Sequence, residues 1–150
     1  MIFNRTLEDI TDAQEIRANK VQKFLPLTDN EVEILERGML TINTLNRIER
    51  KQEELKEMFS EMGYLNVKID VKQWENDKIF YDTDLERIIN NNDSLKKSFL
   101  AYQDTPPTPT PKYYFTNIND LEKILFDLEK MVNDVKNNYR ECGNFECGEG

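Results

Sequence analysis

The chain has no histidine, two cysteines, five glycines and five prolines among its 150 residues. Without histidine there is no imidazole base, no Ser-His or Cys-His pair, and none of the commonest metal ligand. Cys142 and Cys147 are too few for a disulfide framework and supply only half of a four-ligand zinc site, so they read as reduced thiols. The glycines stand singly, at helix ends or in the C-terminal tail, which excludes a glycine-rich phosphate loop. Long apolar runs are missing as well. Residues 1–5 open no secretory signal, and nothing approaches the roughly eighteen apolar residues of a membrane span. A chain made in the cytoplasm is expected. Basic charge is the minority sign, with 20 Lys and Arg against 29 Asp and Glu and a net charge of −9. Such a surface repels phosphate backbones and anionic membranes, so neither is expected as a partner.

Helical periodicity dominates what is present. A first helix is predicted over about residues 4–24, with Leu7, Ile10, Ala13 and Val21 on one face and Glu8, Asp9 and Asp12 in the early turns. Leu25-Pro26 ends it. Thr28 and Glu31 have capping-box spacing for a short helix closed by Gly38. Thr41 then caps a helix whose seam joins Leu45, Ile48, Gln52, Leu55, Phe59 and Met62, with Gly63 as its left-handed end. Alternation over 67–71 predicts a half-buried strand. Asp82, Thr83 and Glu86 signal the next start, for a helix marked by Leu85, Ile88, Asn92, Leu95, Phe99 and Tyr102.

Four prolines at 106, 107, 109 and 111 make residues 105–111 an extended strap. The last helix, capped by Asn117, steps through Ile118, Leu121, Leu125, Leu128, Val132, Val135 and Tyr139. Its heptads and those of residues 42–62 are expected to pack side by side in one bundle, with pairing between copies the second choice. Residues 140–150 are expected to form a tail or a short strand that pairs with residues 66–71. The fold class is thus mainly α: one domain over 1–150, a bundle of four to five helices with a minor β-strand pair.

Tests for chemistry return little. Asp82-Thr83-Asp84-Leu85-Glu86 begins like a calcium loop and has Asp93 at position twelve, but Arg87 stands where the turn demands glycine. No carboxylate pair stands out, and no catalytic residue, metal ligand or cofactor is assigned. Candidate interface residues are aromatic. Trp74 is either a core cap or a binding anchor, and of Tyr113, Tyr114 and Phe115 at least one must be exposed, since three adjacent rings cannot face one core. Phe145, between glycines in the tail, is the fifth.

The order of features carries one resemblance. Arg5-Thr6 with Asp9, the tract from Gly38 to Glu49 with Leu45-Asn46-Arg47-Ile48-Glu49, Gly63-Tyr64, Trp74, the proline strap, Glu122-Lys123-Ile124-Leu125, and a close from Arg140 to Glu149 cover nearly the whole chain. The sequence resembles small modules of tail and baseplate proteins of bacteriophages, and of prophage-derived tail particles, from low-GC Gram-positive bacteria. The resemblance implies a non-enzymatic virion component that joins tail proteins or fibres, located in the tail and homo-oligomeric in the particle. The alternative is a tail or fibre assembly chaperone that is absent from the mature particle.

Overall fold

A computed structural model of the chain describes residues 1–76 and 78–142, with side chains through residue 138. The described residues form five α-helices: α1 (Leu7–Asn19), α2 (Asp29–Gly38), α3 (Ile42–Glu61), α4 (Asp82–Ser98) and α5 (Phe115–Cys142). No strand forms among them. None of these helices is long and apolar enough to cross a membrane.

The starts of the helices follow their caps. Thr6 accepts from the Asp9 amide while the Asp9 carboxylate accepts from the Thr6 amide, so α1 opens at Leu7 rather than at Asn4. It also ends early. Val21–Lys23 form a single 3-10 turn, and Phe24 sits at φ 54°, a left-handed conformation uncommon outside glycine. Thr28 and Glu31 form the expected box, and Thr41 accepts from the Thr44 amide. Gly63, at φ 92°, closes α3. The Asn117 cap is displaced: α5 already begins at Phe115, and the Asn117 side-chain amide instead donates back to the Thr110 and Lys112 carbonyls. The α4 stripe stops at Phe99, since Tyr102 belongs to the connector that follows.

α3, α4 and α5 pack on one another around a core that includes Leu45, Ile48, Leu55, Phe59, Leu85, Ile88, Leu95, Leu121, Leu125, Leu128 and Val132. Their cross-contacts fix direction. Arg47 meets Glu122, Lys51 meets Glu129 and Glu61 meets Lys136, so α3 and α5 run the same way. Glu49 meets Arg87 and Phe59 stacks on Phe99, so α4 runs that way too. Three parallel helices need two full-length returns, and the chain supplies them as extended segments.

Residues 64–80 return beside α3 and α4, and the proline segment returns beside α4 and α5. In the second return Tyr102 meets Asp134, Thr105 meets Asp127, Thr108 meets Asp93 and Tyr113 meets Asp82. Residues 1–5 lie over the α3–α5 seam, where Arg5 reaches Glu122 and Phe3 packs on Phe126. The α1–α2 hairpin meets this bundle at its base, where Glu36 accepts from Asn43 of α3 and Ile10 and Gly38 face Tyr113, Tyr114 and Phe115 across a small cavity.

The expected strand at 67–71 is replaced by an extended segment paired with side chains. Asn91 exchanges two hydrogen bonds with the Asp70 backbone, Glu49 accepts from the Lys72 amide, and Asn46 exchanges two with the Trp74 backbone. Helix side chains at alternate positions thus take the place of a neighbouring strand. The other half of the expected pair, the tail beyond 142, lies outside the described residues.

Candidate functional site

Three places merit attention: the polar seam of the bundle, the aromatic junction beneath it, and the two apolar ends of the molecule.

The polar seam is built from residues that the helical period brings inward. Glu122 on α5 is fully buried and accepts from Arg5 Nη1 at 2.6 Å, Arg47 Nε at 2.9 Å and the Ile2 amide at 3.2 Å. Burial pulls the Arg5 guanidinium below its ordinary value, against the opposing pull of Glu122. Glu49 on α3 accepts from Arg87 Nη2 and Nη1 at 2.6 and 2.8 Å and from Trp74 Nε1 at 2.7 Å. Its bonds lift Arg87 above its ordinary value. Gln52 donates to Asn92 and to the Ile88 carbonyl, and Asn92 donates to the Leu121 carbonyl. Gln52, the polar interruption of the α3 seam, is therefore a second polar link from α3 to α4, beside Glu49 with Arg87.

The two carboxylates are fully bonded within the seam, whereas Arg5 Nη2, Arg47 Nη2 and Arg87 Nε are buried there without a hydrogen-bond partner among the described residues. An open groove of about 800 Å³ runs beside Asn46, Arg47, Glu49, Arg50, Glu53 and Lys72, but Glu49 at its floor is already bonded by Arg87 and Trp74. Asp120 is pushed upward by burial, and no hydrogen bond reaches it among the described residues. No gathering of three or more acids or thiols suited to a metal occurs among them either.

Trp74, a candidate interface residue in the sequence, is 4 % exposed and packs its ring on Phe80. Its indole is spent on Glu49 and its backbone on Asn46, so it anchors the first return to α3 and offers no outward face. Tyr113, Tyr114 and Phe115 are brought together at the junction of hairpin and bundle. With Arg5, Ile10, Gly38, Met39, Leu40 and Ile118 they line a largely apolar cavity of about 220 Å³. Tyr113 and Tyr114 are exposed and Phe115 is half-buried. The Tyr113 hydroxyl donates to Asp82 at 2.6 Å, and its partial burial and that carboxylate push it up to about 12. Phe145, Cys147 and the Cys142 thiol lie outside the described residues.

Sequence reasoning missed the apolar ends. The hairpin tip exposes Val21, Phe24, Leu25 and Leu27, with Phe24 at 96 %. A helix drawn through to Phe24 hid this, because it counted Val21 toward a buried face. The available signal was Pro26 with two apolar neighbours, Leu25 and Leu27, in a turn. At the opposite end, where α3, α4 and α5 finish, Leu65 is 76 % and Leu100 65 % exposed beside Tyr64.

No known protein family, curated protein or solved structure matches the chain.

Proposed function

We propose that the chain is a non-enzymatic structural component of a bacteriophage tail or baseplate, joining tail proteins or fibres by protein contacts. The observation that supports this best is where the residues of the resemblance fall. Thr6 and Asp9 cap α1; Arg5, Arg47 and Glu122 tie the N-terminus and α3 to α5; Asn46, Glu49 and Trp74 tie the first return to α3. Gly38 lies so close to α1 that an added Cβ would stand 2.0 Å from the Asp9 carbonyl oxygen. Each is committed to holding one element against another. Residues spent in that way describe a scaffold, and a scaffold with apolar ends is suited to assembly.

Its partners are then other tail or baseplate proteins, with a fibre among the candidates and further copies of itself in the particle. The mechanism is burial of apolar and aromatic surface under the symmetry of the tail. Quantitative mass spectrometry of purified particles, counting this chain against the major tail-tube protein, tests the reading. A fixed ratio in multiples of about three or six, as closed ring symmetry demands, supports it. Presence in the infected-cell lysate and absence from particles would replace it with the assembly chaperone.

A further inference from the structure

Arg5 carries a charge that its surroundings balance only in part. It shares the one carboxylate of Glu122 with Arg47, and neither guanidinium makes a second ion pair among the described residues. The acids nearest in the fold are taken: Asp9 is held by Arg37 and the Thr6 amide, and Asp82 accepts from Tyr113. Burial pulls Arg5 below its ordinary value, and Arg47 and Arg37 add to that pull against Glu122. Its side chain is only 2 % exposed. Nη1 is spent, donating to Glu122 at 2.6 Å, to Asn119 at 3.2 Å and to the Ile2 carbonyl. Nη2, the other arm of the planar fork, is buried with no hydrogen-bond partner among the described residues. A buried charged donor without an acceptor is costly, and an acceptor brought from outside recovers that cost as affinity.

Arg5 also belongs to the wall of the cavity at the junction of hairpin and bundle, about 220 Å³ in volume, and it is the one charged residue lining it. The rest of the wall is apolar or aromatic, from Ile10 of α1 and Leu40 to Phe115 and Ile118 of α5. Tyr113 and Tyr114, both exposed, give the cavity an opening to solvent. An apolar cavity of about 150 Å³ holds a benzene ring, so this one has room for a ring with a short acidic arm, about ten non-hydrogen atoms.

We propose that this cavity binds a small monocarboxylic acid with a compact apolar body, its carboxylate accepting from Arg5 Nη2 and its body lying against Ile10, Leu40, Phe115 and Ile118. Arg5 selects the carboxylate, because the flat guanidinium fork matches its geometry and its charge. The wall selects the body. A neutral apolar molecule leaves Nη2 unpaired, and a phosphate or a sugar sets its remaining oxygens against apolar side chains. The occupant sits between α1 and α5, so it ties the hairpin to the bundle. The site is a property of the single chain and stands apart from the assembly role proposed above.

The experiment is amide NMR of the full chain titrated with phenylacetate to about 10 mM, enough to populate a millimolar contact, with the neutral isostere phenylacetamide for comparison. Phenylacetate should shift the Gly38, Leu40 and Phe115 amides saturably and leave those of Phe24 and Leu65 unmoved. Phenylacetamide should bind at least about tenfold more weakly, as loss of a bond between charged groups does. Arg5→Lys, which can still pair with Glu122 but loses the fork, should weaken phenylacetate by at least about tenfold. Because Arg5 also holds the seam, a second variant leaves it alone: Ile10→Trp fills the cavity from α1 and should abolish the saturable shifts. No saturable shift, equal binding of acid and amide, or binding that survives Ile10→Trp would each overturn the site. So would tighter binding of N-acetylphenylalanine than of phenylacetate, which would make the occupant the C-terminal residue of a polypeptide.

Discussion

Glu122 shows how much of this molecule rests on single side chains. Its two oxygens are shared between Arg5, in the segment that precedes α1, and Arg47 on α3. Glu122→Gln keeps the shape and removes the charge, leaving two guanidiniums against a neutral amide. Removing one partner of a buried ion pair costs about 3 to 5 kcal/mol, and urea unfolding should find a loss of about 3 kcal/mol. Asp9 makes a smaller contribution. Its bond from Arg37, and then that from the Thr6 amide, hold its carboxyl down to about 2. A folded-state value below the unfolded one stabilises above about pH 4 and is lost as pH falls through about 2. After discounting for solvent screening, Asp9→Asn should cost about 1 kcal/mol at pH 7. The two melting curves should converge near pH 2; curves equally far apart at both pH values would refute the assignment.

Among the elements, the first return is the unusual one. An extended segment without a neighbouring strand leaves its amides to side chains, and here Asn46 and Asn91 each satisfy one residue's N–H and C=O together. Asn46→Ala should cost about 1 to 3 kcal/mol, the penalty for orphaned buried polar groups. Hydrogen exchange should speed at the Trp74 amide while that of Asp70, held by Asn91, keeps its protection. The helices were readable in the sequence because their signal is local: Leu121, Leu125, Leu128 and Val132 announce a buried stripe without reference to anything else. The return was misread as a strand because alternation over 67–71 records which side chains face inward and is silent about what receives the backbone. Its receivers, Asn46, Glu49 and Asn91, sit 28, 23 and 21 residues away and look like surface polar residues in the sequence.

At the scale of the whole molecule, the expectation that α3 and α5 pack side by side is met, but their common direction was hidden. A seam of heptads is the same whether the partner runs parallel or antiparallel. The proline strap was recognisable as stiff and extended, and its length is what allows α4 and α5 to point the same way. The exposure of Tyr113 and Tyr114 was readable because three successive rings overfill any single face. Trp74 was ambiguous for the opposite reason, since a lone indole suits a core and a contact equally. The hairpin tip was missed because a helical period continues on paper through Lys20, where the backbone leaves the helix.

Parallel packing also sets a pace. No two of the long helices can meet as a simple hairpin, because each must wait for an extended return to be laid along its neighbour. Contacts such as Arg47 with Glu122 and Lys51 with Glu129 close loops of 75 and 78 residues. Such distant partners slow folding, and stopped-flow refolding should fall in the milliseconds to seconds typical of β-rich domains rather than the microseconds to milliseconds of helical bundles. A newly made chain would therefore hold its helices before it holds its fold, and α5, made last, supplies the contacts that complete the core.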